Sequence, residues 1–418
     1  MTEAPHWFDV ALELKNEGLA EPILWLGDDR HYNQAKDAFG DNVVKMLTFV
    51  HRPYELKNVQ YSGENLSFFQ SENYLRAKDR CFKMMDRLDL YGTFSRIDRE
   101  VYFHKLTIWT LKKVYYSKPK FLIAAEAPHD HAKYIIYEIL LFLNIPVFKF
   151  NCWTPAPLLF LQELPKNIFI HKEFKIDSEI DKLMDKYIVD YFNGIKLNNE
   201  AVYMRRHRLN SRLHILFINY FTKDIKKHFN DIKHNTWMLL KSIYNPINPY
   251  RASFIYREYL KFKRIKNLKK NIKKSVSKSK LPKKYVYFPL HYEPERTTNP
   301  DGGEFHDQFK AIVKLRDFLP DDFSIVVKEH PSQIYVRERG SRGRSPLFYN
   351  LLKSIKNLNI VDYKTNSNNL IKNAEIVATI TGTVALEGAI LGKKSITFGS
   401  VWYDGAPNIY RFSEQFSF

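Results

Sequence analysis

Residues Glu375–Gly399 read EIVATITGTVALEGAILGKKSITFG. Glu375–Ile380 reads as a strand and Thr381-Gly382-Thr383 as a small, hydroxyl-rich loop. Val384–Leu391 then has a helical pattern, and Lys394–Phe398 is a second strand. Strand, helix and strand with short joints form a βαβ unit, which requires a parallel sheet.

The same alternation extends back to residue 285. Tyr285–Leu290, Phe323–Lys328 and Leu358–Val361 are further strands. Phe305–Phe318, Pro346–Ile355 and Ser367–Asn373 are the helices between them. This is the pattern of a doubly wound α/β domain over 285–418, in which ligands bind outside the carboxyl ends of the strands. An earlier region, 1–170, alternates in the same way. Glu21–Gly27 and Lys45–His51 are candidate strands, and Glu72–Leu88 is a charged helix. Phe121–Ala125 is a short apolar run of the kind buried on both faces, followed by a helix at His131–Leu143 and a strand at Pro146–Phe150. The sequence thus predicts two α/β domains. Between them, 171–284 is helical, polar and basic, and Arg251–Lys284 carries fourteen Lys or Arg against one acid, Glu258. No internal repeat is visible.

With 44% hydrophobic and 15% aromatic residues in 418, the chain can bury a sizeable core, and global disorder is excluded. The formal charge of +19 points to an anionic partner: nucleic acid, an acidic membrane face, a nucleotide or an acidic glycan. Two cysteines, Cys81 and Cys152, cannot build a disulfide framework, so a reducing compartment is expected. No signal peptide is expected from the first residues. The apolar windows Tyr134–Phe150 and Leu213–Phe221 fall short of the ~20 residues of a spanning helix.

Four loops at strand ends carry candidate chemistry. In Lys328-Glu329-His330-Pro331 an imidazole can donate to a phosphate oxygen, although charged residues and proline also end ordinary strands. Thr381-Gly382-Thr383 opens a helix, where backbone N–H groups and hydroxyls bind anions; a threonine there also serves as a plain N-cap. Glu387, one turn on, is placed to accept ribose hydroxyls or simply to complement the helix dipole. The loop containing His291, Tyr292 and Glu293 either lines a cleft or is an ordinary long connection. Glu126, His129, Asp130 and His131 bring carboxylates and imidazoles to one strand end, the usual groups of acid–base catalysis, unless Asp130 only caps the helix. Asp28, Asp29 and His31 form a weaker cluster of the same kind. There is no GxxxxGK[ST], HExxH or GxSxG motif, and His129-x-His131 has no cysteine or third histidine close by, so no metal is expected.

The runs FPLHYEPE (Phe288–Glu295), KEHP (Lys328–Pro331) and TITGTVALEGAILGKKSITFG (Thr379–Gly399) resemble bacterial capsule polysaccharide biosynthesis proteins, the group that includes Kdo (3-deoxy-manno-octulosonic acid) transferases. The segment EAPHDHAKYIIYEILLFLNIPVF, from Glu126, is similar more loosely to their acceptor-side domain. The resemblance covers about half the chain and implies a GT-B-like fold: two Rossmann-like domains facing a cleft, here with the basic helical segment between them. It implies a nucleotide-sugar transferase, with a CMP-activated acidic sugar as donor and a glycan or lipid-linked acceptor. On that reading the nucleotide sugar is held by Glu293, Lys328, His330, Pro331, Thr381, Gly382, Thr383 and Glu387. Glu126 is the catalytic acid–base group, with His129 or Asp130 as helpers. Such enzymes usually need no metal or other cofactor. The chain ends about twenty residues after Phe398, short of the closing helices of the GT-B pattern, so either that element is very short or the sequence is truncated.

Two other readings keep the fold: a CDP-polyol phosphotransferase of teichoic-acid type and a UDP-sugar 2-epimerase. A third is a basic binding module without catalysis. No nucleic-acid motif is present, so the partner expected for Arg251–Lys284 is an anionic membrane surface. The location expected is then cytoplasmic and peripheral on the inner face of the membrane.

Overall fold

The computed structural model describes residues 6–27, 31–45, 59, 66–88, 95–153, 158–164, 168–170, 178–196, 254–294, 297–335 and 339–413. Contacts divide the chain into one unit within residues 1–176 and a second within residues 177–418. The candidate residues Asp28 and Asp29, the apolar window Leu213–Phe221 and the first residues of the basic block lie outside the described residues.

In the first unit, β1 (Trp25–Gly27) and β2 (Val43–Lys45) form a parallel pair. Helices α1 (His6–Asn16) and α2 (Tyr32–Phe39) accompany them, with Trp25, Ala35, Phe39 and Val43 as a small core. A four-stranded sheet follows, from β3 (Leu122–Ala124), β4 (Val147–Trp153), β5 (Leu158–Leu164) and β6 (Ile168–Ile170). β3 and β4 are parallel, as the βαβ pattern predicts, but β4, β5 and β6 are antiparallel, a hairpin the sequence reading did not anticipate. Helices α3 (Glu72–Leu88), α4 (Arg96–Ser117) and α5 (His131–Phe142) build the main core, with Phe68, Met84, Phe103, Leu106, Ile135 and Ile139 inside it. Every residue from His131 to Leu140 is buried, which is why this helix is apolar nearly all round.

In the second unit six strands form one wholly parallel sheet: β7 (Tyr285–Pro289), β8 (Ser324–Lys328), β9 (Leu358–Val361), β10 (Ile376–Thr379), β11 (Lys394–Thr397) and β12 (Ile409–Arg411). Their spatial order is β12-β11-β10-β7-β8-β9. Both faces are covered, as a parallel sheet requires. Along β7, Val286 and Phe288 pack towards α7 (Phe254–Ser275), α8 (Gln308–Phe318) and α9 (Pro346–Lys353). Tyr285 and Tyr287 pack on the opposite face with Leu370 and Ile371 of α10 (Ser367–Asn373). Helix α11 (Val384–Ile390) joins β10 to β11, and α6 (Ser178–Lys196) lays Tyr191 against its Leu386. The α/β class read from the sequence holds in both units.

Candidate functional site

The order of the second sheet locates the place to look. From β7 the chain moves outward through β8 and β9, then returns to the other side of β7 with β10, β11 and β12. β7 and β10 therefore flank the topological switch point, and the loops leaving their carboxyl ends diverge there. Those loops are Leu290–Glu293 and Ile380–Thr383.

The two loops meet through His291. Its Nε2 lies 3.0 Å from Thr379 Oγ1, and the backbone N–H of Thr381 donates to the same nitrogen at 3.4 Å. A backbone N–H only donates, so the neutral ring carries its proton on Nδ1. The Gly382 N–H donates to Thr379 Oγ1 at 3.2 Å. A Cβ on Gly382 would stand 2.8 Å from that oxygen and 3.3 Å from His291 Cε1, so glycine is what lets the loop cross the imidazole. Thr297 Oγ1 reaches within 3.4 Å of Thr381 Oγ1. Thr383 sits at the N-cap of α11, but its hydroxyl makes no cap bond; it donates to Glu387 Oε1 at 3.1 Å. Burial pushes the Glu387 carboxyl above its ordinary range, opposed by that hydrogen bond and by the charge of Lys328.

Lys328 ends β8 on the same face as Tyr287. Its ammonium donates to Thr365 O at 2.9 Å and to Ser367 Oγ. Desolvation brings its pKa down to about 8, with the Glu387 carboxylate pulling the other way. Lys328, which the resemblance places among the residues that hold the nucleotide sugar, is thus occupied with the start of α10. His330 follows β8 and opens the turn Pro331–Ile334. The Ser332 N–H donates to its Nδ1 at 3.2 Å, which leaves the neutral ring's proton on Nε2. Pro331, at the first position of that turn, has no N–H to leave unpaired. The His330 ring meets Tyr292 edge-on, with centroids 6.0 Å apart.

Glu293 is 6% exposed and is fastened on all sides. Its Oε1 accepts from Gln308 Nε2 at 2.8 Å, and its backbone is bonded both ways by Gln333, at 2.8 and 2.7 Å. Beside it, Arg344 donates to Glu329 Oε2 at 2.9 Å and to His291 O at 2.7 Å, while Tyr349 donates to Glu329 Oε2 at 2.6 Å. Glu293 and Glu329 therefore hold the β7 and β8 loops in register. Thr379 and Arg344 are not candidates in the sequence, and His291 stands there only in a loop that either lines a cleft or is an ordinary connection. His291 and Thr379 sit within quoted runs, but their meeting depends on a strand order that no local pattern reveals. Arg344 lies in a polar stretch with no signal at all.

In the first unit, Asp130 is the N-cap of α5 and accepts from the Lys133 N–H at 2.9 Å. Lys133 is the residue the sequence reading overlooked. Its side chain is 1% exposed and its Nζ lies 3.1 Å from Glu126 Oε1 and 3.2 Å from Asp130 Oδ2. Burial alone would raise the Asp130 carboxyl, but Lys133, its N–H bond and the imidazoles of His131 and His129 hold it below its usual range. His129 is positioned by Nδ1 on Ala127 O at 2.7 Å and faces Glu126 Oε1 through Nε2 at 3.4 Å. Glu126, with a side chain 35% exposed, is the most open member. His131 turns away to Tyr102 Oη at 3.2 Å. Among the described residues no cluster of three or more His, Cys, Asp or Glu could hold a metal ion, and no helix is long and apolar enough to cross a membrane.

Residues 219–407 match the family of capsule polysaccharide biosynthesis proteins. A comparison with curated proteins finds no match. Among solved structures, the chain is similar to a β-Kdo 2,7-transferase of Thermosulfurimonas dismutans KpsC, at 19% identity over 37% of this chain and 46% of that one, with a TM-score of 0.25. The β-Kdo 2,4-transferase of the same protein aligns at 16% identity over 37% and 49%, also at 0.25. The UDP-GlcNAc 2-epimerase of Methanocaldococcus jannaschii aligns at 14% identity over 75% and 71%, again at 0.25. The chain thus spans about half the length of the two transferases.

Proposed function

We propose that this chain is a glycosyltransferase of bacterial capsule or surface polysaccharide synthesis, and that its nucleotide-sugar donor binds at the β7/β10 switch point. The observation that carries the reading is the junction of His291, Thr379 and the Thr381–Thr383 loop at that point, inside the stretch that matches the capsule polysaccharide biosynthesis family.

The chemistry is an exchange at one carbon. The acceptor hydroxyl oxygen bonds to the anomeric carbon and loses its proton to a base. The bond from that carbon to the phosphate oxygen breaks, and the electron pair leaves with the nucleotide. His330, with its proton on Nε2, donates to the departing phosphate, and the Thr381 and Thr383 hydroxyls add donors. Glu387 accepts from the ribose. Lys328 acts at one remove: it fixes the start of α10 and sets the charge that Glu387 feels. Glu293 and Pro331 shape the β7 and β8 loops. In the same proposal Glu126 takes the acceptor proton, with His129 and Asp130 holding its surroundings. The donor is a CMP-activated acidic sugar such as Kdo, and the acceptor a glycan or lipid-linked glycan.

The test is a thermal-shift panel with CMP, CDP, UMP, UDP, GDP and dTDP. A ligand at 100 times its Kd adds ~2.7 kcal/mol, readily seen as a rise in Tm. A selective rise with CMP, lost in His330→Ala, is expected. Glu126→Gln should keep that rise while transfer falls by roughly 10²–10⁴-fold. No response to any nucleotide would overturn the reading.

A further inference from the structure

Helix α7 has two unlike faces. Ile265, Leu268 and Ile272 are 3, 3 and 0% exposed, and Leu268 and Ile272 join the core that backs the sheet, anchoring the helix to the second unit. The opposite face carries Lys263, Lys266, Lys269, Lys270, Lys273 and Lys274, all exposed. Among the described residues none of these six ammonium groups has a carboxylate within salt-bridge distance. That is unusual for a surface helix, where acids at i±4 ordinarily neutralise such a row. Here the sequence supplies none: thirteen of the nineteen net positive charges lie in Arg251–Lys284.

Position adds a second observation. At 100° per residue, Phe262, Lys266, Lys269 and Lys273 fall on one line along the helix, with Lys263, Lys270 and Lys274 beside it. Phe262 is 47% exposed at the head of that line, and Leu281, in the Lys-rich segment that follows the helix, is 42% exposed. The surface is therefore a lysine field with apolar side chains set into it.

We propose that this face of α7 docks on an anionic lipid bilayer, with the lysines over the headgroups and Phe262 entering the interface. The composition favours a bilayer over nucleic acid. The charge is carried by lysines, compact and strongly hydrated point charges suited to a diffuse field, whereas nucleic-acid recognition favours the forked geometry of arginine. Among the described residues of the stripe a single aromatic, Phe262, is exposed, which makes no platform for successive bases. It does suit an interfacial helix, where a few apolar side chains enter between lipids while basic residues stay at the surface. This inference does not draw on the sugar-transfer reading, because it is read out by lipid binding alone.

The experiment is flotation of the full chain with vesicles of phosphatidylcholine alone and of phosphatidylcholine with phosphatidylglycerol, at low and high salt. Binding to the anionic vesicles only, weakened by salt, is expected. Each lysine near such a surface is worth ~1 kcal/mol, so K266Q/K269Q/K273Q should weaken partitioning by about a hundredfold. Phe262→Ser should weaken it several-fold and less salt-dependently. A control replacing exposed lysines elsewhere, K120Q/K372Q/K394Q, should lose clearly less. Circular-dichroism melts verify that each variant is folded. No recovery with anionic vesicles at low salt overturns the proposal, as does equal loss in the control. So does tighter, salt-dependent binding to duplex or single-stranded DNA that the α7 variant abolishes.

Discussion

Lys133 in the first unit and Lys328 in the second are 1% and 6% exposed, and each sits where a strand gives way to a loop and helix. Lys133 is surrounded by carboxylates: Glu126 and Asp130 both reach its ammonium, and the Asp130 carboxyl is held low in return. Lys328 is bonded instead to a carbonyl and a hydroxyl, and its pKa falls to about 8. Its neighbour Glu387 is pushed the other way. In the first cluster one ammonium answers two carboxylates, at 3.1 and 3.2 Å. The second holds its cation through a carbonyl and a hydroxyl instead, and burial disfavours the charged forms of both Lys328 and Glu387. Burial alone does not say what a lysine is for; the charge of its partners does.

Lys133→Met tests the first half of that contrast. It leaves the buried Asp130 carboxylate and the partly exposed Glu126 without their shared cation, and a loss of ~3 kcal/mol in urea unfolding is expected. A loss below about 1 kcal/mol would mean that Glu126 and Asp130 do not depend on it. The matched change, Lys328→Met, should behave oppositely. It removes a charge that burial disfavours together with two hydrogen bonds of ~1 kcal/mol each, so stability at neutral pH should stay within about 2 kcal/mol of the parent. The pH dependence separates the two proteins. An unfolded lysine keeps its proton to about 10.5 and the folded Lys328 releases it near 8, so in that window the unfolded state binds more protons. Unfolding free energy should therefore rise between pH 8 and 10.5 by up to ~3 kcal/mol in the parent relative to the variant. Equal slopes would mean that Lys328 binds its proton as tightly in the folded as in the unfolded chain.

Smaller changes sharpen the picture around the switch point. Thr379→Val takes away the hydroxyl shared by His291 and the Gly382 N–H and should cost ~1–2 kcal/mol, read by thermal melting. The rise in Tm with the preferred nucleotide should shrink as well; an undiminished rise would place the donor elsewhere. Thr383→Ala should cost only ~0.5–1 kcal/mol. Without that donor Glu387 keeps its proton to still higher pH, visible as an upward displacement of its carboxyl titration by NMR.

How much of this was legible in the sequence differs between the units for a physical reason. In the second unit the strands Tyr285–Leu290, Phe323–Lys328, Leu358–Val361, Glu375–Ile380 and Lys394–Phe398 fall within two residues of β7–β11, because a strand covered on both faces must be apolar throughout. Only β12, three residues at the edge, escaped notice. In the first unit β3, α3 and α5 were legible, whereas the β4–β5–β6 hairpins were not, since the short joints 154–157 and 165–167 carry no Asn-Gly or Asp-Gly turn pair. The residues of the quoted motifs were found, but their partners were not. That His291 meets Thr379, 88 residues on, depends on β10 returning to lie beside β7. Lys133 was hidden inside a helix whose apolar composition drew attention away from its one buried cation.

The central place of β7 also sets an order of events during synthesis. Val286 pairs with Ile376, ninety residues later, so one flank of the strand has no neighbour when it first leaves the ribosome. At ~5–20 residues per second, that flank waits about 5–18 seconds for its partner. Through that interval an apolar row, Tyr285 to Phe288, stands with its N–H and C=O groups open on that side, which makes this the segment a chaperone would shelter on a nascent chain.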